Sequence, residues 1–225
     1  GQTEASPATT MSKTTDSVET RVSTVGSAMF AVECKIVDPE TCAELPDKDR
    51  HSEAIWARLL AMEPFQVAAT VMCYVHTRDE VRTQPFLPTI LNSGKTLVVP
   101  YCNGDELGLF RLESVEELSP GTWGILEPAE SLRALSQRRV DVSQLDLIVV
   151  PGAAFDRQGG RVGHGKGYYD RLLRRTRPDA RCIAVAYQCQ IYPSVPMLPH
   201  DVYVDGIITE AQYLVSRPPQ NSSKR

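Results

Sequence analysis

Residues Leu145 to Arg175 read LDLIVVPGAAFDRQGGRVGHGKGYYDRLLRR. The stretch opens on an apolar run, Leu145 to Val150, interrupted only by Asp146 and too short for a helix. Its Ile and Val content predicts a buried strand. Pro151-Gly152 stops the strand. A loop follows that carries Gly159, Gly160, Gly163, Gly165 and Gly167, interleaved with Arg161, His164 and Lys166. From Lys166 onward, Tyr168 with Leu172 and Tyr169 with Leu173 stand four apart, the spacing of one helix face.

Strand, glycines, cations and helix in that order point to a phosphate. Glycine lets backbone N–H groups come close to a ligand, and a helix start adds unpaired N–H groups. The bland alternative is a basic, glycine-rich surface loop. Two familiar phosphate loops fail on detail. Gly160 to Lys166 fits G-x-x-x-x-G-K, but Gly167 stands where a P-loop has Ser or Thr, and PGAAFDRQ separates the loop from its strand. The dinucleotide fingerprint fails on the same spacing.

The run PGxxFDxxGxRxGxGKGYYDRxL resembles the signature of the 5-formyltetrahydrofolate cyclo-ligase family. It is carried by Pro151, Gly152, Phe155, Asp156, Gly159, Arg161, Gly163, Gly165, Lys166, Gly167, Tyr168, Tyr169 and Asp170. The resemblance extends more thinly from about Ala54 to Glu210. It implies a single layered α/β domain, Rossmann-like, with a mostly parallel sheet flanked by helices. It also implies an ATP- and magnesium-dependent conversion of 5-formyltetrahydrofolate to 5,10-methenyltetrahydrofolate, with ADP and phosphate released.

The resemblance further implies roles for residues. Lys166 and Arg161 are the expected catalytic cations, and Arg161, Val162, Gly163, His164, Gly165, Lys166, Gly167, Tyr168 and Tyr169 the ATP loop. Folate is expected at Val75, Glu80, Trp123, His164 and Tyr168, since a carboxylate such as Glu80 suits the paired N–H donors of a pterin. Asp170 and Asp205 are the expected Mg²⁺ ligands. Each has a plainer reading: a solvated loop lysine, a core tryptophan, a first-turn acid, a turn aspartate before Gly206. The family's N-terminal basic helix of K-x-x-x-R type has no good counterpart, because Lys13, Arg21 and Lys35 lack that setting. That departure keeps two other readings open: a relative that binds folate or nucleotide without turnover, or another phosphate-handling α/β enzyme.

Composition narrows the class. At 225 residues the chain suits one domain with tails. A formal net charge of −4 argues against a general nucleic-acid or membrane-surface binder. The six cysteines show no zinc or C-x-x-C spacing, and Cys73 and Cys182 sit in apolar runs as buried small hydrophobes. A reducing cytoplasm and a monomer are the expectations, with no nucleic acid or membrane as partner.

The expected organisation has a polar tail over 1–28, an uncertain segment over 29–50, a catalytic domain over 51–215 and a second tail over 216–225. Within the domain a helix is predicted from about His51 to Met62, ended by Pro64, and strands over Val67–Val75, Thr96–Pro100, Leu107–Leu112, Arg181–Tyr187 and Gly206–Thr209. Helical stretches are expected at Pro85–Leu91 and Ala129–Leu135. The residues after Val75, Val150 and Tyr187 should then gather on one edge of the sheet, where such folds bind ligands.

Overall fold

The computed structural model describes residues 47–121 and 124–217. The tails and Trp123 therefore lie outside the described residues. Helix α1, Lys48–Ala61, forms because Ser52, Ile55, Trp56 and Leu59 fall on one stripe, and all four are buried. Met62 leaves helical space, with φ −77° and ψ 145°, and Pro64 then sits in the first turn of the short α2, Glu63–Val67, where its missing N–H costs nothing. The predicted strand over Val67–Val75 is accordingly shorter, β1 covering Thr70–Cys73.

Chain order then gives α3 (Leu87–Asn92), β2 (Thr96–Asn103), β3 (Glu106–Leu112), β4 (Leu118–Pro120), β5 (Leu126–Pro128) and α4 (Glu130–Arg133). After these come β6 (Leu147–Val150), β7 (Ala154–Asp156), β8 (Arg161–Val162), α5 (Tyr168–Leu173), β9 (Arg181–Val185), β10 (Ile191–Tyr192), β11 (Gly206–Ile208) and β12 (Tyr213–Val215).

Seven strands form the main sheet in the order β12-β11-β9-β6-β1-β2-β3. The inner five are parallel, and β3 and β12 close the two edges antiparallel. A parallel sheet is covered on both faces, and here alternate residues serve two layers. Val71, Cys73, Val99, Val149 and Val185 pack with Trp56, Leu59 and Ile90 of α1 and α3. Met72, Val98, Ile148, Cys182 and Ile207 pack on the other side with Leu172 and Leu173 of α5. Cys73 and Cys182 are fully buried, as their apolar surroundings predict.

The edges finish differently. The outer flank of β3 is partly occupied, because Phe110 bridges to Arg139 and the Val140 N–H bonds the Leu109 carbonyl at 3.1 Å. β12 is three residues long.

Strand β1 lies between β2 and β6, so the chain winds outward in both directions from it. The carboxyl ends of β1 and β6 therefore flank a crevice that no crossover covers. A small three-stranded sheet, β10-β7-β8, stands beside it.

A candidate phosphate and pterin site at the sheet mouth

The loop after β6 is shaped by one carboxylate. Asp156 is 3% exposed. Its Oδ1 accepts the N–H groups of Gln158 and Gly160, both at 2.9 Å, and its Oδ2 accepts that of Val195 at 3.0 Å. Gly159 takes φ 91° at the turn, a conformation that side chains rarely adopt. The chain reverses there, and β8 returns antiparallel along β7. Gln190 fastens the loop's base: its Nε2 donates to Gly152 O at 2.9 Å and to Ala153 O at 3.1 Å. Its Oε1 accepts the Tyr187 N–H just beyond β9 at 2.8 Å.

This reversal buries Arg161, whose side chain is 4% exposed. Its Nη2 donates to Asp170 Oδ2 at 2.9 Å, and the guanidinium lies 5.6 Å from the Tyr169 ring centre. Its Nε is buried without a hydrogen-bond partner. A buried donor left unpaired is costly, so a cation in this state suits an anion that arrives later. Beyond Arg161, His164, Gly165 and Lys166 are exposed. Gly165 and Gly167 have φ 80° and 64°, which keep this part of the loop a tight backbone turn. Lys166 faces solvent and makes no ion pair among the described residues.

The helix that follows is shorter than the argument from its start requires. α5 has six residues, and Gly167 caps it in a left-handed conformation. So short a helix has only a weak dipole at its start.

The other wall of the crevice comes from the segment after β1. Glu80 Oε2 accepts the Thr77 N–H at 2.9 Å, closing a tight turn that also holds Arg78 at φ 45°. The Glu80 carbonyl accepts the Tyr187 hydroxyl at 3.3 Å. That phenol also meets Ser52 Oγ at 3.1 Å and the Lys48 carbonyl at 3.4 Å, so it joins α1, the β1 loop and β9 at one point. Lys48 pairs with Asp79. His164 Nε2 approaches Glu80 Oε1 to 3.9 Å, so the glycine loop and the carboxylate face one another.

Two phenols stand near this carboxylate. Burial, and then the charge of Glu80, hold the Tyr74 and Tyr169 hydroxyls well above the ordinary tyrosine range, so both are neutral donors. His76 is held as an acceptor at Nδ1 by the N–H groups of Thr83 at 3.1 Å and Gln84 at 3.3 Å, which leaves the ring proton on Nε2. Burial, then Arg82, push its pKa below the usual histidine value.

Of the residues expected at the site, His164 reaches Glu80, Arg161 lies against Tyr169, Asp170 and Gly163, and Gly165, Lys166 and Gly167 continue the same loop. Val162 is half-buried in β8. Val75 is buried in the α1-side core. Tyr168 turns toward the β2–β3 hairpin, donating to Gly104 O at 3.0 Å beneath Arg171.

Asp170 and Asp205 are held by different partners. Asp170 is engaged by Arg161 and, at Oδ1, by the Val202 N–H at 3.3 Å. Asp205 Oδ2 accepts the Cys182 N–H at 2.7 Å, at the amino-terminal ends of β9 and β11. Among the described residues no group of three or more His, Cys, Asp or Glu side chains is placed to hold a metal ion. Nor is any described helix long and apolar enough to cross a membrane.

Asp156, Gln190, His76 and Tyr74 had no assigned role in the sequence. Only Asp156 carried a signal, its place in the F-D-x-x-G run. The remaining arginines of this region, Arg171, Arg174, Arg175 and Arg177, bond to Asp105 O, Asp170 O, Glu106 and Asp146, and so brace the fold. A cleft of about 480 Å³ opens separately between β2–β3 and α5, lined in part by Tyr101, Cys102, Leu172 and Arg175. Neither Glu80 nor the glycine loop borders it.

Known proteins resemble this chain in sequence and fold. The 5-formyltetrahydrofolate cyclo-ligase of Mus musculus is 29% identical over 196 residues, spanning 83% of this chain and 96% of its own. A mitochondrial 5-formyltetrahydrofolate cyclo-ligase of Arabidopsis thaliana is 32% identical, spanning 72% of this chain and 66% of its own. The solved 5,10-methenyltetrahydrofolate synthetase of Aquifex aeolicus superposes with a TM-score of 0.66 at 34% identity, covering 80% of this chain and 89% of that one. The family model described as the 5-formyltetrahydrofolate cyclo-ligase family matches residues 33–210. The chain is thus an enzyme belonging to the 5-formyltetrahydrofolate cyclo-ligase family.

Proposed function

We propose that this enzyme uses ATP to close 5-formyltetrahydrofolate into 5,10-methenyltetrahydrofolate. The formyl oxygen is a poor leaving group. Transfer of the γ-phosphoryl group to it gives an iminium phosphate and ADP; N10 then attacks the formyl carbon and loses its proton to water, and the C–O bond breaks as phosphate departs. Phosphoryl transfer asks the protein mainly for positioning and cationic stabilisation. Arg161 and Lys166 supply the charge, and the backbone of Gly163 to Gly167 lets the phosphates come close. Glu80 accepts the paired N–H donors of the pterin, beside the neutral hydroxyls of Tyr74 and Tyr169. Magnesium bound with the nucleotide would neutralise charge on its phosphates, and the cytoplasm is the proposed compartment.

The observation that supports this reading best is the approach of His164 to Glu80, 3.9 Å across the crevice. It sets a cationic, glycine-lined loop against a carboxylate suited to a pterin edge. Incubation with 5-formyltetrahydrofolate and MgATP should yield the methenyl product, followed by its absorbance, with one ADP per product. A folded protein that binds both ligands and forms no product would be a non-catalytic relative instead.

A further inference from the structure

We infer that Asp170 is a positioning residue for Arg161 and not a ligand of the magnesium ion. The inference rests on the proposal that Arg161 meets the nucleotide phosphates. Both carboxylate oxygens of Asp170 are already engaged, Oδ2 by Arg161 Nη2 at 2.9 Å and Oδ1 by the Val202 N–H at 3.3 Å. Arg161 is therefore its counter-charge. A divalent cation on the same carboxylate would bring like charges together in a site shielded from water, where repulsion is strongest. Asp205, the other acid expected to share the ion, is turned to the Cys182 N–H.

The ion pair does a different job. It ties β8 to α5, while the Arg161 N–H on Met197 Sδ at 3.3 Å and the Val202 N–H on Asp170 draw in the segment before β11. With Nη2 committed, the guanidinium cannot turn. Its Nη1 lies against Gly163, where an added Cβ would come within 2.8 Å, and its Nε is buried and unpartnered. Asp170 thus decides which edge of the guanidinium stays free for an oxyanion. Second-sphere partners of this kind hold a catalytic group in one orientation.

Calorimetry with the non-hydrolysable β,γ-imido analogue of ATP tests this, with magnesium and with EDTA, on wild type, Asp170→Asn, Arg161→Ala and the double variant. Asp170→Asn should weaken binding about tenfold in both conditions, the order of one charge-assisted hydrogen bond. The factor by which magnesium changes affinity should stay within about twofold of wild type, as linkage requires when the metal's own contacts are intact. In the Arg161→Ala background Asp170→Asn should add less than about twofold. Loss of the magnesium effect in Asp170→Asn would overturn the inference. So would unchanged nucleotide affinity, or effects of the two substitutions that multiply.

Should Asp170→Asn fail to fold, Asp170→Glu keeps the charge at a longer reach. It should show the same loss of affinity with the magnesium effect retained, and full affinity there would equally overturn the inference. Wild-type protein that binds the analogue but makes no methenyl product would sink the proposed activity and leave this inference standing. Wild type that binds no analogue overturns both.

Discussion

Asp156 and Gly160 lock the glycine loop by contact as well as by hydrogen bond: Oδ1 accepts the Gly160 N–H at 2.9 Å, and a Cβ on Gly160 would lie 2.7 Å from Oδ2. Val195 Cγ2 stands 2.8 Å from the same point, so the position has no room on either side. Gly160→Ala should therefore cost about 1–3 kcal/mol by overpacking. Urea denaturation should show the lower midpoint with an unchanged slope. Asp156→Asn should be at least as damaging, because one of its oxygens becomes a donor facing N–H groups. A Gly160→Ala protein as stable as wild type would mean that the loop is not held this way.

Lys166 separates function from folding. It is exposed, so Lys166→Ala should leave the unfolding free energy within about 0.5 kcal/mol of wild type. If it grips phosphate, kcat/KM for ATP should fall by about tenfold or more. Steady-state kinetics at saturating folate reads this directly. Full activity would remove Lys166 from the site.

Glu80 makes the complementary prediction for the other substrate. Glu80→Gln keeps an acceptor for the Thr77 N–H but loses the charge that pairs with the pterin edge. The KM for 5-formyltetrahydrofolate should rise about tenfold or more while that for ATP changes little. Equal effects on both substrates would show that Glu80 acts through the fold.

His76 gives a pH dependence whose sign is fixed. Burial and Arg82 lower its pKa in the folded protein, so below the ordinary histidine value of 6.5 the unfolded chain binds the extra proton first. Its contribution is present above that value and is lost as pH falls from it toward the folded pKa. Thermal unfolding from pH 7.5 to 5 should show a smaller acid-side decline for His76→Asn than for wild type. An identical decline would mean that His76 is equally protonated in both states.

The longer elements were legible because each carries its own period. Leu145–Val150, Thr96–Pro100 and Arg181–Tyr187 are apolar runs of strand length, and Ile55 and Leu59, four apart, mark a helical stripe. The two- and three-residue strands β7, β8, β10 and β12 were not legible. They exist through tertiary pairing, such as Phe155 with Arg161 and Ile191 with Phe155, and no local pattern announces that. At the site, residue types could be read but allegiances could not. The pairing of Asp170 with Arg161 follows from the chain reversal at Asp156, which no local pattern announces. The start of α5 was visible in its spacing of four, whereas its end after six residues follows from packing.

The unequal sheet edges bear on how copies of this chain meet. Among the described residues, an incoming strand would find only the three residues Tyr213–Val215 at one edge, and on the far side a flank where Arg139 and Val140 already hold part of the ladder. Edge-to-edge growth, the commonest hazard of an open sheet, has little here to build on.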